Sequence, residues 1–246
     1  MTTPLLAIAA FTAALVILTF LSRDISLRIQ EIFYYISRSQ DMAVVGLFLV
    51  LMPGIFIHES AHWMMARLVG LRTGKFRVWP VRRGKMIGMG QVAVEQKDVW
   101  RDSLVGIAPL LVGSLIITLI GSQIFEATTL VGAINRGDSS YAFAGLVRAF
   151  ETPDAMLWAY ALFVVGNAMM PSASDREPLK PVLLYISLAV AVYLVLGMPL
   201  APLAQALDSL RPAMRDYLSA LIFVILLDLI VIAVLRLFTL VLSRRS

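Results

Sequence analysis

Charged residues are missing from long stretches of this chain and gather in the gaps between them. Apolar runs of the length that crosses a bilayer's hydrocarbon, about 20 residues, fall near 4–21, 42–66, 103–125, 155–171, 181–198 and 217–242. The pattern predicts an all-α polytopic membrane protein of about six transmembrane helices, with Pro171, Pro178 and Pro181 crowding the junction of the fourth and fifth. No basic residue precedes the first run and no small-residue cleavage site follows it, so it reads as an anchor and not a removable leader. Residues 22–40 put Ile25, Ile29, Ile32, Phe33 and Ile36 at helical spacing. That spacing suits an amphipathic helix lying at the interface or, equally, a polar-capped connector. From Gly74 to Gln96 the pattern changes: KFRVWPV and GQVAVEQ are rich in β-formers and flank the turn-like RRGK. A short membrane-associated β-hairpin or small sheet is expected there, directly after the second helix.

Composition agrees with this plan. The 246 residues are 59% hydrophobic and 15% charged, with a mean hydropathy of +0.84, whereas soluble domains carry roughly a quarter charged residues. A net charge of +5 is compatible in principle with nucleic acid, but the basic residues are distributed as membrane topology would distribute them. Nine of the 21 Lys and Arg lie between Arg67 and Arg101, which assigns that connection to the cytoplasm. Six spans then leave both termini inside, in agreement with Arg244 and Arg245, while Arg23, Arg28 and Arg38 fall on the opposite side. The absence of cysteine excludes disulfides and thiolate metal ligands.

Against this background one stretch is anomalous. Met42 to Ile57 contains no charged residue, yet it is followed by His58-Glu59-Ser60-Ala61-His62, and the next charge is Arg67. On an α-helix, positions i and i+4 share a face, so His58 and His62 can present their imidazoles to one ion, with Glu59 within reach of a water beside it. The chain has only two histidines, and both are in this H-E-x-x-H spacing. The alternative, polar side chains satisfied within a bundle core, is weakened by the cost of ionisable groups in a membrane. At about 1.5 Å per residue, His58 lies about 13 Å from Arg67 and about 24 Å from Met42, inside the membrane but nearer the basic, cytoplasmic face. A catalytic zinc usually takes three protein ligands and keeps one position open. The residues alone leave three carboxylates as the third: Asp175, in the helix-breaking GNAMMPSASDREP; Asp228, in mid-span; and Glu126, at the far end of the third span.

HESAH in an apolar span, the β-like segment after it, GIAPLLVGS in the third span and the later Asn167-to-Asp175 stretch together resemble the site-2 protease family of intramembrane zinc metalloproteases. The resemblance covers roughly residues 42–178. The family's second motif reads approximately N-x-x-P-x-x-x-x-D-G, and Asn167 and Asp175 keep its eight-residue separation. Pro171 stands four residues after Asn167 in place of three, and Arg176 occupies the usual glycine position. The resemblance implies Zn2+ held by His58, His62 and Asp175, with Glu59 as general base. It also implies that Asn167 contacts the substrate backbone or the oxyanion, although capping the broken fourth span would equally explain this residue. Asp228 is left as a hydrogen-bonded bundle residue or the partner of an arginine.

The expected organisation is an anchor and interfacial helix over 1–41, a catalytic transmembrane core over 42–178 and C-terminal transmembrane helices over 179–246. The expected activity is hydrolysis of a peptide bond within or near the transmembrane segment of a single-span protein in the cell membrane, with no nucleic-acid partner. A transmembrane substrate must unwind locally, and an edge strand within Gly74–Gln96 could hold it by strand addition, unless that segment is only a basic surface cap. Rival readings are a catalytically inactive membrane scaffold of the same fold and a metal transporter, since buried His and Asp also mark ion paths.

Overall fold

The computed structural model describes every residue except 1–3, 80, 84–85, 89–90, 96, 200 and 244–246. The expected turn at Gly84 and Lys85, and the terminal Arg244 and Arg245, lie outside the described residues. The chain runs α1 (Pro4–Ser37), α2 (Gln40–Leu68), β1 (Thr73–Arg77), β2 (Val81–Arg83), β3 (Met86–Gly88), β4 (Gln91–Val94), α3 (Val99–Gln123), α4 (Ala127–Asn135) and α5 (Ser139–Glu151). It continues through α6 (Ala155–Ala168), α7 (Ala173–Arg176), α8 (Leu179–Val195) and α9 (Ala201–Ser243). Among the described residues, five helices are long and apolar enough to cross a membrane: Ile8–Ser37, Gln40–Leu68, Val99–Gln123, Ser174–Val195 and Asp208–Leu242. The sixth apolar helix, α6, has 14 residues and so rises only about 21 Å, short of the roughly 30 Å of hydrocarbon.

The first helix does not stop where its apolar run ends. Ile25 and Ile29 are buried at 0% and 5% exposure, so the bundle continues to supply packing beyond Leu21. Arg28 Nε donates to Asp24 Oδ2, one turn back, at 2.9 Å, which offsets two charges on the outer face. The 34 residues of α1 therefore form one continuous rod, and residues 22–37 extend it without turning along the interface. Ser39 then caps α2, its Oγ accepting from Met42 N, the usual satisfaction of an orphan N–H at a helix start.

Two connections between apolar runs have structure of their own. Pro178 is the N-cap of α8 and Pro181 lies in its first turn, where backbone N–H groups have no intrahelical acceptor to lose. The prolines thus open this helix. The connection between the third and fourth apolar runs, for which the sequence pattern predicts no element, is helical: α4 buries Ala127, Leu130, Val131 and Ala133 against α9, and α5 starts where the Asp138 carboxylate accepts from Tyr141 N.

The strands form two antiparallel pairs. β1 lies against β4 with Thr73 opposite Val94, Phe76 opposite Val92 and Arg77 opposite Gln91, and a bulge intervenes between Thr73 and Phe76. β2 lies against β3 with Val81 opposite Gly88 and Arg83 opposite Met86. β1 runs back along α2. Arg67 Nε donates to Thr73 Oγ1 at 3.1 Å, the Phe76 ring meets Phe56 edge-on at 5.9 Å, and Trp79 meets Phe48 at 5.3 Å. Successive contacts thus step from one end of α2 past the level of His58.

The interior is mostly apolar but holds several polar groups, and the outside is apolar as well. Glu59, His62, Ser103, Asn167, Ser219, Asp228 and Thr239 are buried, while Leu183, Leu184, Ile186, Leu188 and many others are exposed. α9 packs on α1, α3, α4 and α6, with Phe223 stacked on Phe125 at 4.8 Å. Close helix contacts need small residues, as is general in membranes. A Cβ at Gly54 on α2 would collide with the Val164 carbonyl on α6. Replacing Gly54 by Val is expected to lower stability by about 1–3 kcal/mol through overpacking, read as a lower thermal midpoint in detergent. Gly132→Ala, where the nearest atom is the flexible end of Arg136 at 3.6 Å, should leave the midpoint close to wild type.

Candidate metal centre

α2 brings His58 and His62 together one turn apart, their Nε2 atoms 3.1 Å from each other. Asp175 on α7 faces both: its Oδ2 is 3.6 Å from His58 Nε2 and its Oδ1 is 3.3 Å from His62 Nε2. Donors about 2.0–2.1 Å from one tetrahedral ion stand about 3.3 Å apart; the two histidine nitrogens are close to that spacing, and one ligand atom from each of the three residues lies within 4.8 Å of the others. Among the described residues this is the group of His, Asp and Glu close enough to hold a metal. Asp228 and Glu126, the other carboxylates considered as third ligand, are not in it.

Each histidine is fixed through its far nitrogen. His58 Nδ1 lies 2.7 Å from the Ala168 carbonyl, and His62 Nδ1 lies 2.8 Å from the Val105 carbonyl. A carbonyl only accepts, so both Nδ1 atoms carry hydrogen, and in the neutral rings both Nε2 lone pairs point inward. Two lone pairs and a carboxylate then face one another at contact distance. This arrangement needs a cation or additional protons between them, and a neutral-nitrogen, carboxylate set suits a divalent metal.

The two carbonyls are available for identifiable reasons. Pro109 lies inside α3, four residues after Val105, and has no N–H with which to close the helical bond to the Val105 oxygen. Ala168 is the last residue of α6, its carbonyl among those that a helix end leaves unpaired. Three residues on stands Pro171, and Ser172 N is engaged with Asp175 Oδ2 at 2.7 Å. That last bond is half of a capping box, since Ser172 Oγ also accepts from Asp175 N, and it sets the Asp175 side chain before any metal arrives. α7 in turn presses on α3: a Cβ at Gly106 would collide with the Asp175 carbonyl. Ser103 Oγ donates to the Pro178 oxygen at 2.6 Å, which ties the start of α8 to the same face of α3.

Glu59 is 8% exposed, on α2 between the two histidines and three positions before His62. Asn167 is buried one residue before Ala168. Its Nδ2 donates to Phe163 O and to Asp228 Oδ1, both at 2.9 Å, so both amide hydrogens are engaged within the bundle. Sequence reasoning did not pair Asn167 with Asp228, which lie 61 positions apart and share no motif. It also did not assign Gly106, Pro109 and Val105 their supporting parts. A proline in mid-span is the signal that could have found the freed Val105 carbonyl, though not the donor that takes it.

Comparison of the chain with protein-family models, curated proteins and solved structures yields no match. What the group can do follows from its own donor set. Three protein donors would fill three of the four positions of a tetrahedral ion.

Purified protein is expected to bind one divalent ion per chain, measured by elemental analysis after dialysis against zinc. Alanine at His58, His62 or Asp175 should abolish that binding. Pro109→Ala, which returns a competing N–H to the Val105 carbonyl, should weaken affinity by about tenfold, in the range of supporting-partner changes. An unchanged affinity in Pro109→Ala would show that the His62 contact does not depend on the missing N–H.

Proposed function

We propose that the chain is an intramembrane zinc metalloprotease, similar to the site-2 proteases, that hydrolyses a peptide bond in or near the transmembrane segment of a single-span protein. The observation that carries this reading is a buried glutamate adjacent to a two-histidine, one-aspartate ligand set inside an apolar helical bundle. A metal store or structural site would need the ligands but would gain nothing from Glu59. In this reading α6 completes a sixth crossing, the protein sits in the cell membrane with the basic segment after α2 on the cytoplasmic side, and the site lies nearer that face.

His58, His62 and Asp175 would hold the ion, which when bound supplies Lewis acidity that acidifies a water and polarises an amide carbonyl. Glu59 accepts the proton of the attacking water and passes it to the leaving amide nitrogen as the C–N bond breaks. The buried surroundings strengthen these charge interactions by excluding bulk water. β1 lies along α2 at the level of His58, and strand pairing offers an unwound substrate segment the hydrogen bonds that it gives up on leaving its helix. Asn167 stands one residue from the Ala168 carbonyl that accepts from His58 Nδ1; with its amide hydrogens engaged within the bundle, its part in this reading is to hold the end of α6, the capping alternative, in place of substrate contact.

Cleavage of a panel of single-span proteins in liposomes tests the proposal. Glu59→Gln should lower the rate by at least about 10²-fold, in line with the loss of a general base, while retaining bound metal. A chelator should stop the wild-type reaction and added zinc restore it. Equal rates for wild type and Glu59→Gln would sink the mechanism, and zinc flux across the liposome in place of cleavage would favour transport.

A further inference from the structure

A second buried polar cluster lies across α6 and α9, outside the ligand group. Asp228 has no exposed surface, and Asn167 is 7% exposed. One bond joins them, from Asn167 Nδ2 to Asp228 Oδ1 at 2.9 Å. Two acceptor oxygens of the same pair, Asn167 Oδ1 and Asp228 Oδ2, have no hydrogen-bond partner. No cation compensates them among the described residues: on α9 Arg236 reaches Asp24, at 3.9 Å, and on α1 Arg28 is paired with that same Asp24. An ionised carboxylate with a single hydrogen bond is among the most costly groups a membrane interior can hold. Two orphan acceptors on one buried hydrogen-bonded pair are costly as well. A single hydrogen placed between them removes both difficulties.

We propose that Asp228 is carried as a neutral carboxylic acid whose Oδ2–H donates to Asn167 Oδ1, closing a two-bond ring with the Asn167 Nδ2–H that donates to Asp228 Oδ1. The ring joins α6 to α9 by a pair of bonds at its inner face. Ser22 Oγ on α1 donates to the Asn167 backbone oxygen at 3.2 Å, so the last turn of α6 is held from two sides. The next carbonyl along is that of Ala168, which accepts from His58 Nδ1. Asp228 is thus a positioning residue: through Asn167 it fixes the end of α6 on which His58 hangs. That last link rests on the metal-centre reading; the acid–amide ring does not.

Infrared difference spectroscopy and thermal unfolding of the full chain in lipid nanodiscs at neutral pH test the ring. The wild-type minus Asp228→Asn spectrum should contain a carboxylic-acid C=O stretch. Asp228→Asn replaces the O–H donor with an N–H donor and keeps both bonds, so its thermal midpoint should stay near wild type. Asp228→Ala leaves the Asn167 side-chain oxygen and one of its two amide hydrogens without a partner and should lower the midpoint by on the order of 5 °C. A carboxylate band in place of the acid band overturns the proposal, as does a midpoint for Asp228→Asn as low as that for Asp228→Ala. Zinc affinity reads the link to His58 separately. It should fall in Asp228→Ala and be retained in Asp228→Asn, and an unchanged affinity in Asp228→Ala would remove the positioning role while leaving the ring intact. Neither readout uses proteolysis, so an inactive protein would not affect the outcome.

Discussion

A buried carbonyl without a partner is costly, and two carbonyls that their own helices leave unpaired, on Val105 and Ala168, hold the two histidines. The first is vacated by Pro109 and the second by the end of α6. Each takes the Nδ1–H of one imidazole, which fixes the tautomer and turns the Nε2 lone pair inward. The cost of two interrupted helices and the orientation of two candidate ligands are therefore met by the same pair of hydrogen bonds. If the helices were regular at these points, the histidines would have no fixed direction.

The same economy governs how closely the elements approach. α2 meets α6 at Gly54, and α3 meets the α7 turn at Gly106; at both positions a side chain would strike a backbone carbonyl. The second contact sets the distance between the element that carries Asp175 and the one that carries the Val105 oxygen. The capping box at Ser172 and Asp175 then directs the carboxylate. The candidate ligands come from two elements 113 positions apart, yet each is anchored to backbone and not merely to other side chains.

Much of this was legible in the sequence, for physical reasons. Apolar runs report where helices face lipid, and the i, i+4 spacing of His58 and His62 reports a shared face whatever the surrounding fold. Asp175 emerged among the third-ligand candidates because prolines and small residues broke the helix before it. What failed was anything decided by tertiary contacts. The helix from Pro4 to Ser37 outlasts its apolar run because Ile25 and Ile29 find neighbours that no local pattern announces. α4 is held by α9 and α5 by α4 and α6, and the Asn167–Asp228 pair joins two helices whose register only the folded bundle sets. Pro178 and Pro181 marked the junction of the fourth and fifth runs, and the fold places them at the opening of α8.

α8 has no buried residue, although it continues directly from the turn that bears Asp175. Its lateral restraint comes from one face of α3, the Ser103 bond at its start and, for the rest of its surface, lipid chains. His58 and His62 sit instead on a helix enclosed by α1, α3 and α6. A bilayer whose thickness does not match α8 would tilt it, and the lever would act on one candidate ligand while the other two stayed fixed. If the group holds a metal as proposed, the surrounding membrane would in that sense enter its coordination geometry and link lipid thickness to metal affinity.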